Sequence, residues 1–200
     1  MAMLRRRISA VVFDLDGTLT LPGAIDFARM RERIRCPKAS DILAHVEQSP
    51  AAERAALHAI IAEEEELGLA RVQPMAGTTE LFAHLRARTP RLLTGILTRN
   101  NASVMERTLR QLALPWSFDM ELSRDWSGGP PKPHPAALLH MARQWGLHPS
   151  DCMMVGDSDD DILAGSAAGF TTVAIGRDAK ALALAQHSIQ SLAELVPILE

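Results

Sequence analysis

Two aspartates one residue apart close an apolar run in VVFDLDGTLT, residues 11–20, and Gly17 and Thr18 follow at once. In an extended segment Asp14 and Asp16 share one face. Carboxylates this close repel each other by roughly a few kcal/mol at an effective dielectric near 20. A hard divalent cation would relieve that repulsion, because such ions take oxygen ligands. The competing reading is a surface Asp-Gly turn with an extra acid.

Three further stretches carry chemistry-bearing residues. In ILTRN, Thr98 precedes Arg99 and Asn100, and a hydroxyl beside free helix-N-terminal amides makes a small anion site. The same threonine also reads as an ordinary helix cap. In GGPPKPHP, Lys132 stands between two prolines that restrict the backbone and fix where the ammonium emerges. In MMVGDSDDDILAG, Asp157 ends an apolar run where a second metal-ligating carboxylate would belong. Asp161, one helical turn on, is placed to brace it. Acids in a first helical turn also complement the helix dipole, which accounts for some of this run without a ligand. His134 reads as an incidental loop residue.

The elements that must position these residues are legible as short β-rich runs: ISAVVF, RLLTGILT, SFDMEL, DCMMVG, FTTVAIG and HSIQSL. Helical patterns lie between most of them. That alternation predicts an α/β fold, a doubly wound parallel sheet with helices on both faces. Near-continuous apolar strands suit a sheet buried on both sides. In such sheets ligands bind beyond the carboxyl ends of the strands, which is where each of the four stretches falls.

One region breaks the rhythm. Residues 21–73 show no strand and three helical stretches, with Ser49-Pro50 reading as a helix start whose proline takes the first helical position. The expectation is a small helical cap at 21–73 inserted into a core of residues 1–20 and 74–200, with hinges near 20–22 and 73–77. EEEE at 63–66 reads as a solvated helix face. Arg29 and Arg33, four apart on one helix face, could meet an anionic substrate group, as could Arg31 or Arg35. The simpler reading leaves them solvated or paired with neighbours such as Glu32.

Composition narrows the class. Charged residues make up 22% and hydrophobic ones 47% of 200 residues, ordinary for a soluble globular protein. A net charge of −3 argues against a dedicated nucleic-acid binder. Cys36 and Cys152 form no CxxC and read as reduced thiols. The N-terminal MLRRRISAVVF has too short an apolar run for a secretion signal, and no stretch is long enough to span a membrane. These features suit a cytoplasmic protein.

The order DxDGT, then a threonine after a strand, then lysine in a K-P-x-P loop, then GDxxxD resembles the haloacid dehalogenase-like hydrolases. Within them it is similar to the helical-cap phosphatases of the phosphoglycolate phosphatase-like group. The resemblance runs from about Ile8 to Leu195 and includes SLAEL near the end. It implies a Rossmann-like core and a Mg²⁺-dependent phosphomonoesterase acting on a small phosphorylated metabolite. Asp14 would attack phosphorus to form an aspartyl-phosphate, and Asp16 would serve as acid and then base. Mg²⁺ would be held by Asp14, the Asp16 carbonyl and Asp157, with Asp161 in support. Thr98, the Arg99 amide and Lys132 would bind the phosphoryl group.

Other classes separate on single features. Dehalogenating members resemble this layout but lack the second aspartate, which Asp16 supplies here. Phosphonate-cleaving members use a cap lysine, and the one available is Lys38. A phosphomutase would share all the motifs and stays open. A receiver domain would carry its acceptor in mid-chain, contrary to the order here. A degenerate, non-catalytic member would usually lack Asp14 or Asp16.

Overall fold

The computed structural model describes residues 7–200. The beginning of the expected core, and most of the basic stretch at the N-terminus, therefore lie outside the described residues. Six parallel strands form one sheet in the order β3-β2-β1-β4-β5-β6. They are β1 (Ala10–Phe13), β2 (Leu93–Leu97), β3 (Met120–Leu122), β4 (Cys152–Gly156), β5 (Thr171–Ile175) and β6 (His187–Ile189). All six expected runs contain a strand, and the α/β doubly wound fold class holds.

The pleat explains how so apolar a strand as AVVF is used. Val11 and Phe13 point to one face, among Leu81, Phe82, Ile96, Val155 and Ile175. Ala10 and Val12 point to the other, among Leu138, Met141, Met154 and Phe170. The first face is covered by α4 (Thr78–Ala87), α5 (Ala102–Leu112) and the C-terminal α9 (Val196–Leu199). The second is covered by α6 (Ala136–Gln144) and α7 (Asp159–Ala168). A short helix the sequence reading did not anticipate, α8 (Ala179–Leu184), packs through Ala181 on Ile162 and Ala174.

Between β1 and α4 lie α1 (Phe27–Arg33), α2 (Ile42–Gln48) and α3 (Ala51–Leu69). Met30 and Ile34, one turn apart, join Val46 and Ile61 in a separate small cluster, so this insert has its own apolar centre. Helix α3 begins at Ala51 with Pro50 in the cap position, one residue later than expected. Thr20 and Pro74 form an antiparallel bridge, so the chain leaves and rejoins the core at adjacent points. Among the described residues no helix is long and apolar enough to cross a membrane.

The tetraglutamate is not a solvated face. Glu63 and Glu66 are exposed, but Glu64 and Glu65 are 0% and 3% exposed. Four consecutive helical positions point around most of a turn, so a run of like charge must meet several environments. Glu64 Oε1 accepts from Arg33 at 2.7 Å and pairs with Arg29 at 3.1 Å, while Glu63 takes the other Arg33 nitrogen at 2.7 Å. The expected pairing of Arg29 and Arg33 thus occurs, with glutamates of α3 rather than Glu32.

Candidate active site

The strand order reverses between β1 and β4, and the chemistry-bearing residues gather at the carboxyl ends of those strands. Asp14 follows β1 directly, and its N–H donates to the Val155 carbonyl of β4 at 2.9 Å, so the ladder itself sets its place. The chain then turns at Gly17, whose φ of +80° suits glycine. A Cβ at Gly17 would lie 2.1 Å from the Asp157 carboxylate. The two acidic loops therefore meet only because that position has no side chain.

Lys132 reaches in from the loop before α6. Its ammonium donates to Asp14 Oδ1 at 2.6 Å, Asp161 Oδ1 at 2.5 Å and the Leu97 carbonyl at the end of β2 at 2.9 Å. All three side chains are buried. Asp161 is fixed by a capping box, its Oδ2 accepting from the Ser158 N–H at 3.1 Å and hydroxyl at 2.6 Å. It thus braces Lys132 and the start of α7, while no hydrogen bond joins it to Asp157. One ligand oxygen each from Asp14, Asp157 and Asp161 lies within 4.8 Å of the others.

Charge in this cluster is unbalanced. Burial raises the Asp14 carboxyl well above its ordinary range; Lys132 opposes that, and Asp161, Asp157 and Asp16 add to it. Burial, reinforced by Asp161, pushes Asp157 up to about 7. Burial alone would lower the Lys132 ammonium, but attraction to Asp14 and Asp161 raises it instead. One cation serves several carboxylates, so the cluster has room for another positive charge.

Asp16 is partly buried and accepts from Asn100 Nδ2 at 2.5 Å. Burial raises its carboxyl, with the Asn100 bond and Lys132 opposing. Thr98 is buried, and its hydroxyl accepts from the Asn100 N–H at 3.2 Å. The cap of α5 is Asn101, which leaves Thr98 free of that duty. The Arg99 side chain is engaged elsewhere, with Asp160 at 2.8 Å and Asp41 at 2.5 Å.

Asp14, Asp16, Thr98, Arg99, Lys132 and Asp157 line one cavity of about 270 Å³, with Asp161 behind Lys132. The insert supplies its far wall, including Phe27, Met30 and Ile61. Lys38 is exposed and does not line this cavity; it lines a neighbouring surface depression with Phe27, Arg31 and Cys36. His134 is exposed, its ring accepting from the Ala136 N–H.

Residues unread in the sequence also reach this cavity. Arg124 follows β3 by two positions, outside every stretch singled out in the sequence, and pairs with Glu65 of α3 at 3.0 Å. Glu65 also accepts from Asn101 at 2.9 Å, and Arg107 of α5 binds Glu66. Among the described residues, each ion pair between insert and core has its carboxylate on the insert and its guanidinium on the core.

Glu65→Gln keeps the side-chain shape and an oxygen that can accept from Arg124, but removes the charge that pairs with this half-buried guanidinium. The contact between α3 and the core should weaken by about 1–3 kcal/mol. Backbone amide exchange should speed up in α3 by about tenfold or more while β1 and β4 stay protected. Equal protection in variant and wild type would mean that the pair does not hold the insert.

Comparison with known proteins identifies the family. The family model for haloacid dehalogenase-like hydrolases matches residues 8–169. A haloacid dehalogenase-like hydrolase domain-containing protein of Arabidopsis thaliana is 36% identical over 180 residues, covering 84% of this chain and 71% of its own. The chain belongs to the haloacid dehalogenase-like hydrolase family. A phosphoglycolate phosphatase of Yersinia pseudotuberculosis is 30% identical over 192 residues, 82% of this chain and 79% of that protein. The crystal structure of a hydrolase from Pseudomonas syringae superposes with a TM-score of 0.78 at 21% identity, covering 96% of this chain and 97% of that one. That likeness shows the shared fold.

Proposed function

We propose that this chain is a Mg²⁺-dependent phosphomonoesterase acting on a small phosphorylated metabolite, with residues 21–73 serving as a cap over the site. The observation that carries this reading is the cluster of buried Asp14, Asp161 and Lys132 with partly buried Asp157 at the switch point, beneath a wall of the insert. The relative called a phosphoglycolate phosphatase supports it.

The donor set fits a hard dication. It consists of carboxylate oxygens, is largely buried, and holds one ammonium against several acids. Asp14, Asp157 and the Asp16 carbonyl would hold the ion, with Asp161 in support; when bound it would supply charge neutralisation for the acids and the phosphate. Asp14 attacks phosphorus, and the leaving alkoxide takes a proton from Asp16. Burial favours the protonated form of Asp16 that this step needs. Asp16 then accepts a proton from the water that cleaves the aspartyl-phosphate. Thr98, the Arg99 amide and Lys132 face the phosphoryl oxygens and stabilise their charge.

Hydrolysis of an aryl phosphate tests this directly. Inorganic phosphate should be released with added Mg²⁺, and the rate should fall by at least about 100-fold with excess chelator. Full turnover in chelator would overturn the metal assignment. A phosphomutase would share every residue named, and it would convert a sugar phosphate to its isomer without releasing stoichiometric phosphate.

A further inference from the structure

The cavity is bordered by guanidinium groups, and their partners differ. Arg99 is neutralised by Asp41 and Asp160, and Arg124 by Glu65. Arg31 also lines the cavity yet has no ion pair among the described residues. Its Nη1 donates to the Ser40 carbonyl at 2.7 Å and the Pro37 carbonyl at 3.0 Å, and lies 3.3 Å from the Cys36 Sγ. Those bonds hold the guanidinium in place without cancelling its charge.

Helical geometry separates Arg31 from its neighbours. Phe27, Met30 and Arg31, at i, i+3 and i+4, face the cavity. Arg29 and Arg33 turn to α3 and are taken by Glu63 and Glu64. The part of the cavity lining that α1 supplies is thus two apolar side chains and one positioned cation without an ion pair, which also borders the surface depression beside Lys38. A half-buried cation beside apolar groups is strongly favoured by an anion that pairs with it.

We propose that Arg31 reads a second anionic group on the substrate, a carboxylate or a second phosphate on the alcohol portion. This rests on the phosphatase reading of the site and assigns its specificity. Arg31 is then the residue that separates an acidic phosphomonoester from a neutral one of equal size.

The test is a ratio of kcat/KM values for esters matched in size. The phosphate ester of glycolate and the bisphosphate of ethylene glycol are each compared with the phosphate ester of glycolamide, which is neutral at that end. The wild type should prefer at least one acidic ester by tenfold or more, and the preferred one identifies carboxylate or phosphate as the group read. In Arg31→Met the ratio should fall below threefold, mainly through KM. In Arg31→Lys, which keeps the charge, it should stay above threefold. A ratio near one in the wild type, or one unchanged in Arg31→Met, would overturn the assignment while leaving the phosphatase reading intact. No hydrolysis of any ester, an aryl phosphate included, would overturn both.

Discussion

Asp14→Asn should abolish turnover and leave the protein at least as stable as the wild type. In the proposed mechanism the carboxylate oxygen becomes the bridge to phosphorus, and a carboxamide cannot take that role, so kcat should drop on the order of 10⁴-fold or more. The stability half of the expectation comes from the charge balance. Burial, with Lys132 opposing it and Asp161, Asp157 and Asp16 adding to it, raises the Asp14 carboxyl above its ordinary range, so that its ionised form works against folding at neutral pH. Asparagine removes that cost. Its Oδ1 can still accept from Lys132, whose ammonium keeps Asp161 as counter-ion at 2.5 Å. Without added metal, Tm should hold within about 2 °C or rise, which matches the pattern of active sites built at the expense of stability. Measured kcat within tenfold of wild type would remove Asp14 from the nucleophile role. A steep fall in Tm at unchanged kcat would make it a structural acid.

The core was legible because its signals are local. Each strand is an apolar β-rich run flanked by turn residues, and pleat alternation then assigns its two faces. The acidic and basic residues at the strand ends were legible too, since parallel topology brings those ends to one edge. What stayed hidden depends on how the insert lies against the core. Glu64 and Glu65 follow one another in the sequence, yet one faces the arginines of α1 and the other faces Arg124 and Asn101 of the core. No periodicity states that apposition. Arg31 and Arg33 are two residues apart with the same side chain, and only the packing of α1 on α3 sends Arg33 to a glutamate pair and Arg31 to the cavity. Arg124 was readable in principle, two residues beyond β3 at the same edge, but SRD forms no recognisable pattern.

Lys132→Met should produce the largest loss of stability of any single change at the site. Methionine fills a similar volume but leaves Asp14 and Asp161 buried with no cation between them. Removing one partner of a buried pair costs about 3–5 kcal/mol, because the remaining charge is unpaired. At about 2–4 °C per kcal/mol for a chain of this size, Tm should fall by roughly 6–20 °C in the absence of metal. Activity should be lost as well, since the ammonium is placed to face the transferring phosphoryl group. The deficit should shrink on acidification: a carboxyl whose folded pKa lies above its unfolded value favours the folded state below that pKa and loses this contribution as pH rises through it. The double variant Lys132→Met/Asp14→Asn decides between loss of charge pairing and loss of packing. If the cost is unpaired charge, neutralising Asp14 should recover about half or more of the lost stability, although the double variant has fewer native side chains. If the two losses instead add, the ammonium was holding its loop by shape, and the electrostatic account of the cluster fails.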